Sequence, residues 1–197
     1  MSERMTDGVQ PIDIEDSEAL RALLESRGFD TTHWGEGATK TVEALWRELE
    51  AGESEIVDIN GTLTRRLSVA AVDVIANLSD GTSYRLVEAR QVFAGGASRE
   101  RKLVTSLSEK KEAGESTEDA VRRALQEELG IETSQKIELL GDETLVKTSA
   151  TFNGLWSDLE LSLARVTIAE ADFIPEGYIE QQADKTTYFE WQPIIPN

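Results

Sequence analysis

The chain of 197 residues carries 38 acidic and 20 basic side chains, which gives a formal net charge of -18 at pH 7. This surplus of negative charge repels nucleic-acid backbones and anionic membrane surfaces, so neither is an expected partner. The absence of cysteine excludes disulfides, thiolate metal sites and cysteine nucleophiles.

The apolar segments are too short to span a membrane. The longest run, residues 67–78, is interrupted by Asp73, and the first twenty residues lack the apolar stretch of a secretion signal. These features predict a soluble, cytoplasmic protein.

Two helices are predicted near the N-terminus, over residues 17–27 and 41–50. Each has leucines at helical spacing on one face and a glycine after its last residue. We interpret residues 1–53 as an N-terminal helical extension, which packs either on the core or on a partner subunit in a homodimer.

From residue 55 onward the pattern becomes that of strands, rich in valine, isoleucine and aromatic side chains. The turn signal Ser79-Asp80-Gly81 predicts a hairpin between two of them. In the strand at residues 156–169, leucines at 159, 161 and 163 alternate with polar residues, as in a strand with one face on a core. Predicted strands occupy residues 55–59, 63–77, 82–93, 99–108, 135–142, 143–152, 156–169 and 186–195.

An acidic segment at residues 109–131 separates the fourth of these strands from the fifth. Ser116 has the side chain of a helix N-cap, and apolar residues then recur at helical spacing until Gly130. We predict an acidic loop followed by a helix over residues 117–129.

Two carboxylates, Glu127 and Glu128, project near the C-terminal end of this helix, where the helix dipole disfavours negative charge. A cation would complement them, either Arg123 one turn earlier or a bound metal ion. The alternative is a solvated helix face, the usual setting of paired charges.

The same segment resembles the signature of the Nudix hydrolases: G, five residues, E, seven residues, then R-E-U-x-E-E-x-G-U, with U aliphatic. Glu109 stands at the leading glycine of the signature, and Ala124 stands at the glutamate after the arginine. Residues 80–93 are similar to the strand that precedes the signature in ADP-ribose-type members. Seven of the nine fixed positions match with their spacing intact: Glu115, Arg123, Leu125, Glu127, Glu128, Gly130 and Ile131.

The resemblance implies an α+β (mixed α/β) fold for residues 54–197, a Nudix-like α/β/α sandwich with a mixed β-sheet behind the helical extension. It also implies that Glu127 and Glu128 are catalytic and bind Mg²⁺, with Mn²⁺ as an alternative. By the same resemblance Glu115 pairs with Arg123 and fixes the loop against the helix.

The two departures bear on the chemistry. A glutamate in place of Ala124 would lie on the same helix face as the paired carboxylates, and loss of general-base help costs about a hundredfold to ten-thousandfold in rate. We expect Glu109 or Glu112 to replace part of the missing group as a metal ligand. Glu160, beside Asp158, is the nearest match to a further glutamate that many family members carry downstream.

Arg90 and Arg101 belong to the densest basic group of the chain and are candidates for binding substrate phosphates. The alternative is a surface of alternating charge.

The expected function is Mg²⁺-dependent hydrolysis of a nucleoside diphosphate linked to another moiety, such as ADP-ribose or a nucleotide sugar. Loss of the glutamate at Ala124 keeps a second class open: a binding or interaction protein of the same fold with weak or no hydrolase activity. A third reading is an enzyme of altered chemistry that holds a diphosphate-bearing ligand.

Overall fold

A computed structural model describes residues 8–37, 39–100, 105–132, 134–183 and 185–195. The chain forms two compact units. The first comprises residues 1–68, 111–114 and 144–161, and the second comprises residues 69–110, 115–143 and 162–197. The predicted boundary between residues 53 and 54 stays a prediction.

The first unit contains the two predicted helices, α1 (Ser17–Ser26) and α2 (Val42–Glu50). Both begin at a side-chain cap, since Asp16 accepts a hydrogen bond from the Ala19 amide and Thr41 accepts one from the Ala44 amide. The two helix predictions are confirmed within a residue at each end.

Three strands of the first unit pair in order with antiparallel register. β1 (Val9–Pro11) pairs with β2 (Glu55–Ile59), which pairs with residues 62–66 of β3 (Thr62–Asn77). The buried apolar core of this unit consists of Leu20, Leu24, Trp34, Val42, Leu45, Ile56, Leu63, Phe152 and Leu155.

The second unit is built on a sheet whose registered ladders are all antiparallel. β3 joins β4 through the predicted turn at residues 79–81, and its middle part pairs with β6. β10 pairs with β4 on one side and β9 on the other. The bounds are β4 (Ser83–Phe93), β5 (Ser98–Arg99), β6 (Leu107–Lys110), β9 (Tyr178–Gln181) and β10 (Lys185–Pro193).

The helix of the acidic segment, α3 (Thr117–Leu129), has the predicted bounds. The Ser116 hydroxyl accepts a hydrogen bond from the Asp119 amide at 3.1 Å, and Gly130 ends the helix in the left-handed conformation at φ 69°. The apolar stripe of α3 is buried with side chains of β3, β4, β6 and β9 in the core of the second unit.

Two long strands, β7 (Ile137–Thr148) and β8 (Trp156–Ile168), pair with one another, and β8 also pairs with β3. A short 3-10 helix (Glu170–Asp172) follows them. The α+β fold class is confirmed, with three α-helices and a large antiparallel sheet in the described part of the chain. No helix among the described residues is long and apolar enough to cross a membrane.

Three details of the strand predictions are wrong. Residues 135–142 and 143–152 do not form two strands, because β7 continues through Gly141. The strand before α3 spans Leu107–Lys110 and so includes Glu109, for which we predict a loop; residues 101–104 of the predicted strand 99–108 lie outside the described residues. In β8 the buried side chains include Ser162, Ala164 and Val166, while the leucines at 159, 161 and 163 are half-exposed, so the strand faces the opposite way from the predicted pattern.

Candidate functional site

Arg123 on α3 ties the segment before the helix to the helix itself. Its guanidinium donates two hydrogen bonds to the Glu115 carboxylate, at 3.0 and 2.9 Å, which is the pair expected from the sequence. It donates others to Glu109 at 2.8 Å and to the Lys110 carbonyl at 2.9 Å. The carboxylates of Glu115 and Glu109 raise the pKa of Arg123, so its charge is permanent.

Substitution of Arg123 by lysine is expected to lower the free energy of unfolding by about 1–2 kcal/mol, because an ammonium cannot reproduce the paired hydrogen bonds of the guanidinium. The matched control is Arg122→Lys, at the exposed neighbouring position, where a change below about 0.5 kcal/mol is expected. Urea denaturation measures both. Equal losses for the two variants would contradict the tethering role.

A small cavity of about 70 Å³ lies beside this tether, within the second unit. Four glutamates from four different elements line it, and only one lysine joins them among the described residues. The lining residues are Glu88, Gln91, Ser108, Glu109, Glu128, Glu180, Gln182, Lys185 and Thr187.

Burial and mutual repulsion disfavour the charged form of the glutamates in this cavity. Burial raises the pKa of Glu128 to about 8, and the neighbouring charges of Glu180, Glu109 and Glu88 act in the same direction. Burial also raises the pKa of Glu109, although its hydrogen bond from Arg123 opposes the shift. A bound cation would stabilise the charged form of such carboxylates. Groups with raised pKa values of this kind often mark functional sites.

The packing of β9 against β10 brings Glu180 to this cavity. Gly177 precedes β9 with φ +83°, and a Cβ there would stand 1.9 Å from the Phe189 carbonyl oxygen of β10. Only glycine permits this close approach. Glu180 is 9% exposed and accepts a hydrogen bond from the Gln182 side chain, so its carboxylate is held in place.

The predicted site residues are only partly brought together. Glu109 and Glu128 line the cavity, but Glu127 does not; its side chain is 59% exposed and lies 3.7 Å from the Arg123 guanidinium. Glu112 is exposed and belongs to the first unit. Ala124 is fully buried in the core of the second unit.

Of the two predicted phosphate-binding arginines, Arg90 does not line the cavity. The Arg90 guanidinium lies over the Tyr188 ring, 4.4 Å from its centroid, and Arg101 lies outside the described residues. Glu160, expected as the downstream glutamate, belongs to the first unit and accepts a hydrogen bond from Ser68.

Two of the cavity glutamates, Glu88 and Glu180, were missed by sequence reasoning. Each occupies an inward position of a strand, two residues after a buried apolar side chain: Leu86 in β4 and Tyr178 in β9. Acidic side chains are rarely buried without a partner. A glutamate in phase with the apolar face of a strand is therefore the signal that could have found both.

The chemistry of these side chains fits a hard divalent cation, because Mg²⁺ and Mn²⁺ prefer carboxylate oxygens and water. The Glu128 carboxylate is repelled by Glu180, Glu109 and Glu88 around the cavity, and a bound cation would offset this repulsion. Across residues 8–37, 39–100, 105–132, 134–183 and 185–195, no three acidic or histidine side chains already stand in coordinating positions.

Solved structures with a similar fold are distant in sequence. The Ap4A hydrolase of C. elegans is 16% identical, with 64% of this chain and 78% of that chain covered and a TM-score of 0.36. A MutT/nudix family protein from Enterococcus faecalis is 16% identical, with 67% and 45% covered and a TM-score of 0.41. The NUDIX domain of Shewanella oneidensis NrtR, solved with ADP ribose, is 18% identical, with 65% and 73% covered and a TM-score of 0.36.

The chain spans less than half of the E. faecalis protein, and no curated protein sequence matches it significantly. The decisive comparison is with the family itself: the NUDIX domain matches residues 64–188, which include the tether, α3 and the cavity glutamates. The chain therefore belongs to the Nudix family.

Proposed function

We propose that the protein is a divalent-metal-dependent hydrolase of a nucleoside diphosphate linked to another moiety. The observation that carries this proposal is the convergence of Glu88, Glu109, Glu128 and Glu180 on one cavity beside α3. Four neighbouring carboxylates repel one another, and this repulsion destabilises the folded protein unless a bound cation offsets it.

The metal-binding residues we propose are Glu128 and Glu109 in the cavity, with the adjacent Glu127 of α3 as a further ligand. A bound Mg²⁺ or Mn²⁺ would polarise phosphoryl oxygens and offset the charge that develops during phosphoryl transfer. Glu109 is suited to the position because Arg123 fixes its carboxylate at 2.8 Å.

Hydrolysis adds water across the linkage between two phosphorus atoms. The water oxygen forms a new bond to phosphorus, the bridging oxygen departs with its electron pair, and one proton must be accepted from the water. We assign that proton to Glu180, since it is buried at the cavity and held by Gln182.

ADP-ribose and nucleotide sugars are the substrates we propose. The NUDIX domain of Shewanella oneidensis NrtR was solved with ADP ribose, which makes this compound a reasonable first choice. The acidic chain would then bind an acidic substrate through the metal ion that both share.

A substrate panel tests this function. Wild-type protein is incubated with ADP-ribose, nucleotide sugars and dinucleotides in Mg²⁺ or Mn²⁺, and phosphate is measured after phosphatase treatment. We expect turnover of at least one compound and its loss in excess EDTA. A panel with no turnover in either metal would exclude the hydrolase.

A binding protein of the same fold is the second candidate, and Ala124 favours it. Its side chain is fully buried among apolar neighbours, so α3 contributes one carboxylate fewer than the family signature provides. Calorimetric binding of ADP-ribose in Mg²⁺ without turnover would select this candidate over the first.

A further inference from the structure

The cavity also holds two side chains on one strand that can donate hydrogen bonds to an anion, and one of them, Lys185, is unsuited to a cation. Lys185 and Thr187 stand two residues apart on β10, so both project from the same face of the strand. An ammonium group repels a metal ion, whereas an ammonium and a hydroxyl can both donate hydrogen bonds to an anionic oxygen. The cavity therefore contains carboxylates that suit a metal ion and hydrogen-bond donors that suit a phosphate.

Thr187 has an unused hydroxyl group. The residue is 1% exposed, and its Oγ1 has no hydrogen-bond partner in the described structure. Buried hydroxyl groups are normally paired, and an unpaired one loses its hydrogen bonds to water without replacement. An oxygen atom of a ligand in the cavity would supply the missing partner.

The ammonium of Lys185 interacts electrostatically with Glu128 across the cavity but is not in direct contact with it. Within the described residues the ammonium makes neither a hydrogen bond nor an ion pair, although Glu128 and other carboxylates line the same cavity. If this ammonium served only to neutralise the nearby carboxylates, we would expect it to contact one of them directly. A half-buried ammonium that faces a cavity instead can meet a ligand there.

We propose that Lys185 and Thr187 form an anion subsite that binds phosphoryl oxygens of the ligand's diphosphate, beside the cation held by the glutamates. This inference rests on the proposed function and adds to it the residues that hold the phosphate. Lys185 would supply the positive charge of this subsite from β10, which is far in sequence from the family signature on α3.

Binding of a non-hydrolysable probe tests the subsite without requiring turnover. The full chain is titrated with α,β-methylene-ADP in excess Mg²⁺ by calorimetry. We expect Lys185→Gln to weaken probe binding by about tenfold and Lys185→Arg to keep it within about threefold. The matched control is Lys147→Gln on exposed β7, which should bind as the wild type does.

Thr187→Val separates a binding role from a structural one. Valine keeps the shape of threonine and removes a hydroxyl group that has no partner, so the melting temperature of the ligand-free protein should stay the same or rise. Binding of the probe should nevertheless weaken by about threefold to tenfold. Titration with Mn²⁺ alone should give Lys185→Gln a metal affinity at least equal to that of the wild type.

The outcomes distinguish this inference from the proposed function. Wild-type affinity for the probe in both Lys185→Gln and Thr187→Val would overturn the subsite, whatever the turnover. Weakened probe binding in these variants, with no turnover by the wild type, would support the subsite and reject the hydrolase. Absence of probe binding by the wild type at about 1 mM would overturn both.

Discussion

The metal-free wild type is expected to become less stable as pH rises from about 5 to about 8. Replacing Glu128 with glutamine is expected to remove most of this pH dependence. The pKa of Glu128 is about 8 in the folded protein, against an ordinary value of 4.5. The folded state therefore holds a proton that the unfolded state releases, and unfolding becomes easier as pH rises through this window.

The expected size of this loss in the wild type is on the order of 3 kcal/mol across the window. Urea denaturation in EDTA at pH 5, 6.5 and 8 measures it. Glutamine is neutral throughout, so the Glu128→Gln variant should lose less stability than the wild type over the same range. Glu127→Gln, at the exposed neighbouring position, is the control and should follow the wild-type curve. Parallel curves for wild type and Glu128→Gln would contradict the burial of this carboxylate.

The largest loss of stability is expected from Glu48→Gln in the first unit. Glu48 and Arg65 are each 6% exposed and form an ion pair, and Lys40 contacts the other oxygen of Glu48 at 2.9 Å. The Arg65 guanidinium also lies over the Phe152 ring. Glutamine would leave the Arg65 charge buried without a counter-ion, at a cost of about 3–5 kcal/mol.

Urea denaturation of Glu48→Gln measures this effect, with Glu50→Gln on the exposed face of α2 as control. The double variant Glu48→Met with Arg65→Met removes both buried charges together and should lose less stability than Glu48→Gln, because Lys40, the partner that is left, is 45% exposed. A loss below about 1 kcal/mol for Glu48→Gln would show that the pair is not buried in solution.

The helix α3 was predictable because its signals are local. The Ser116 hydroxyl caps the first turn, and Gly130 adopts the left-handed conformation that ends the helix. Neither feature depends on distant parts of the chain. The pairing of Arg123 with Glu115 is similarly close in sequence, and the spacing of the Nudix signature was enough to predict it.

The cavity itself was not predictable, because strand pairing brings its members together. Glu109 faces it from β6, in register with Ala70 of β3, and Glu180 faces it only because Gly177 allows β9 to approach β10. Strand register depends on tertiary contacts that a single sequence does not state. The same limit applies to Glu48, whose partner Arg65 lies on a different element, 17 residues away.

The two adjacent glutamates of α3 have different surroundings in the structure. Sequence reasoning treated Glu127 and Glu128 alike, whereas only Glu128 lines the cavity and Glu127 is mostly exposed beside Arg123. Neighbouring helix positions point about 100° apart, so one can face a cavity while the next faces solvent. Their contributions to metal binding should therefore differ.

The most direct measurement of the central claim is the ratio of kcat/KM for Glu128→Gln and Glu127→Gln, with the best substrate of the panel in saturating Mg²⁺. We predict a loss of about a hundredfold or more for Glu128→Gln and no more than about tenfold for Glu127→Gln. Equal losses, or a larger loss for Glu127→Gln, would contradict the assignment of the reaction to the cavity formed by Glu88, Glu109, Glu128 and Glu180.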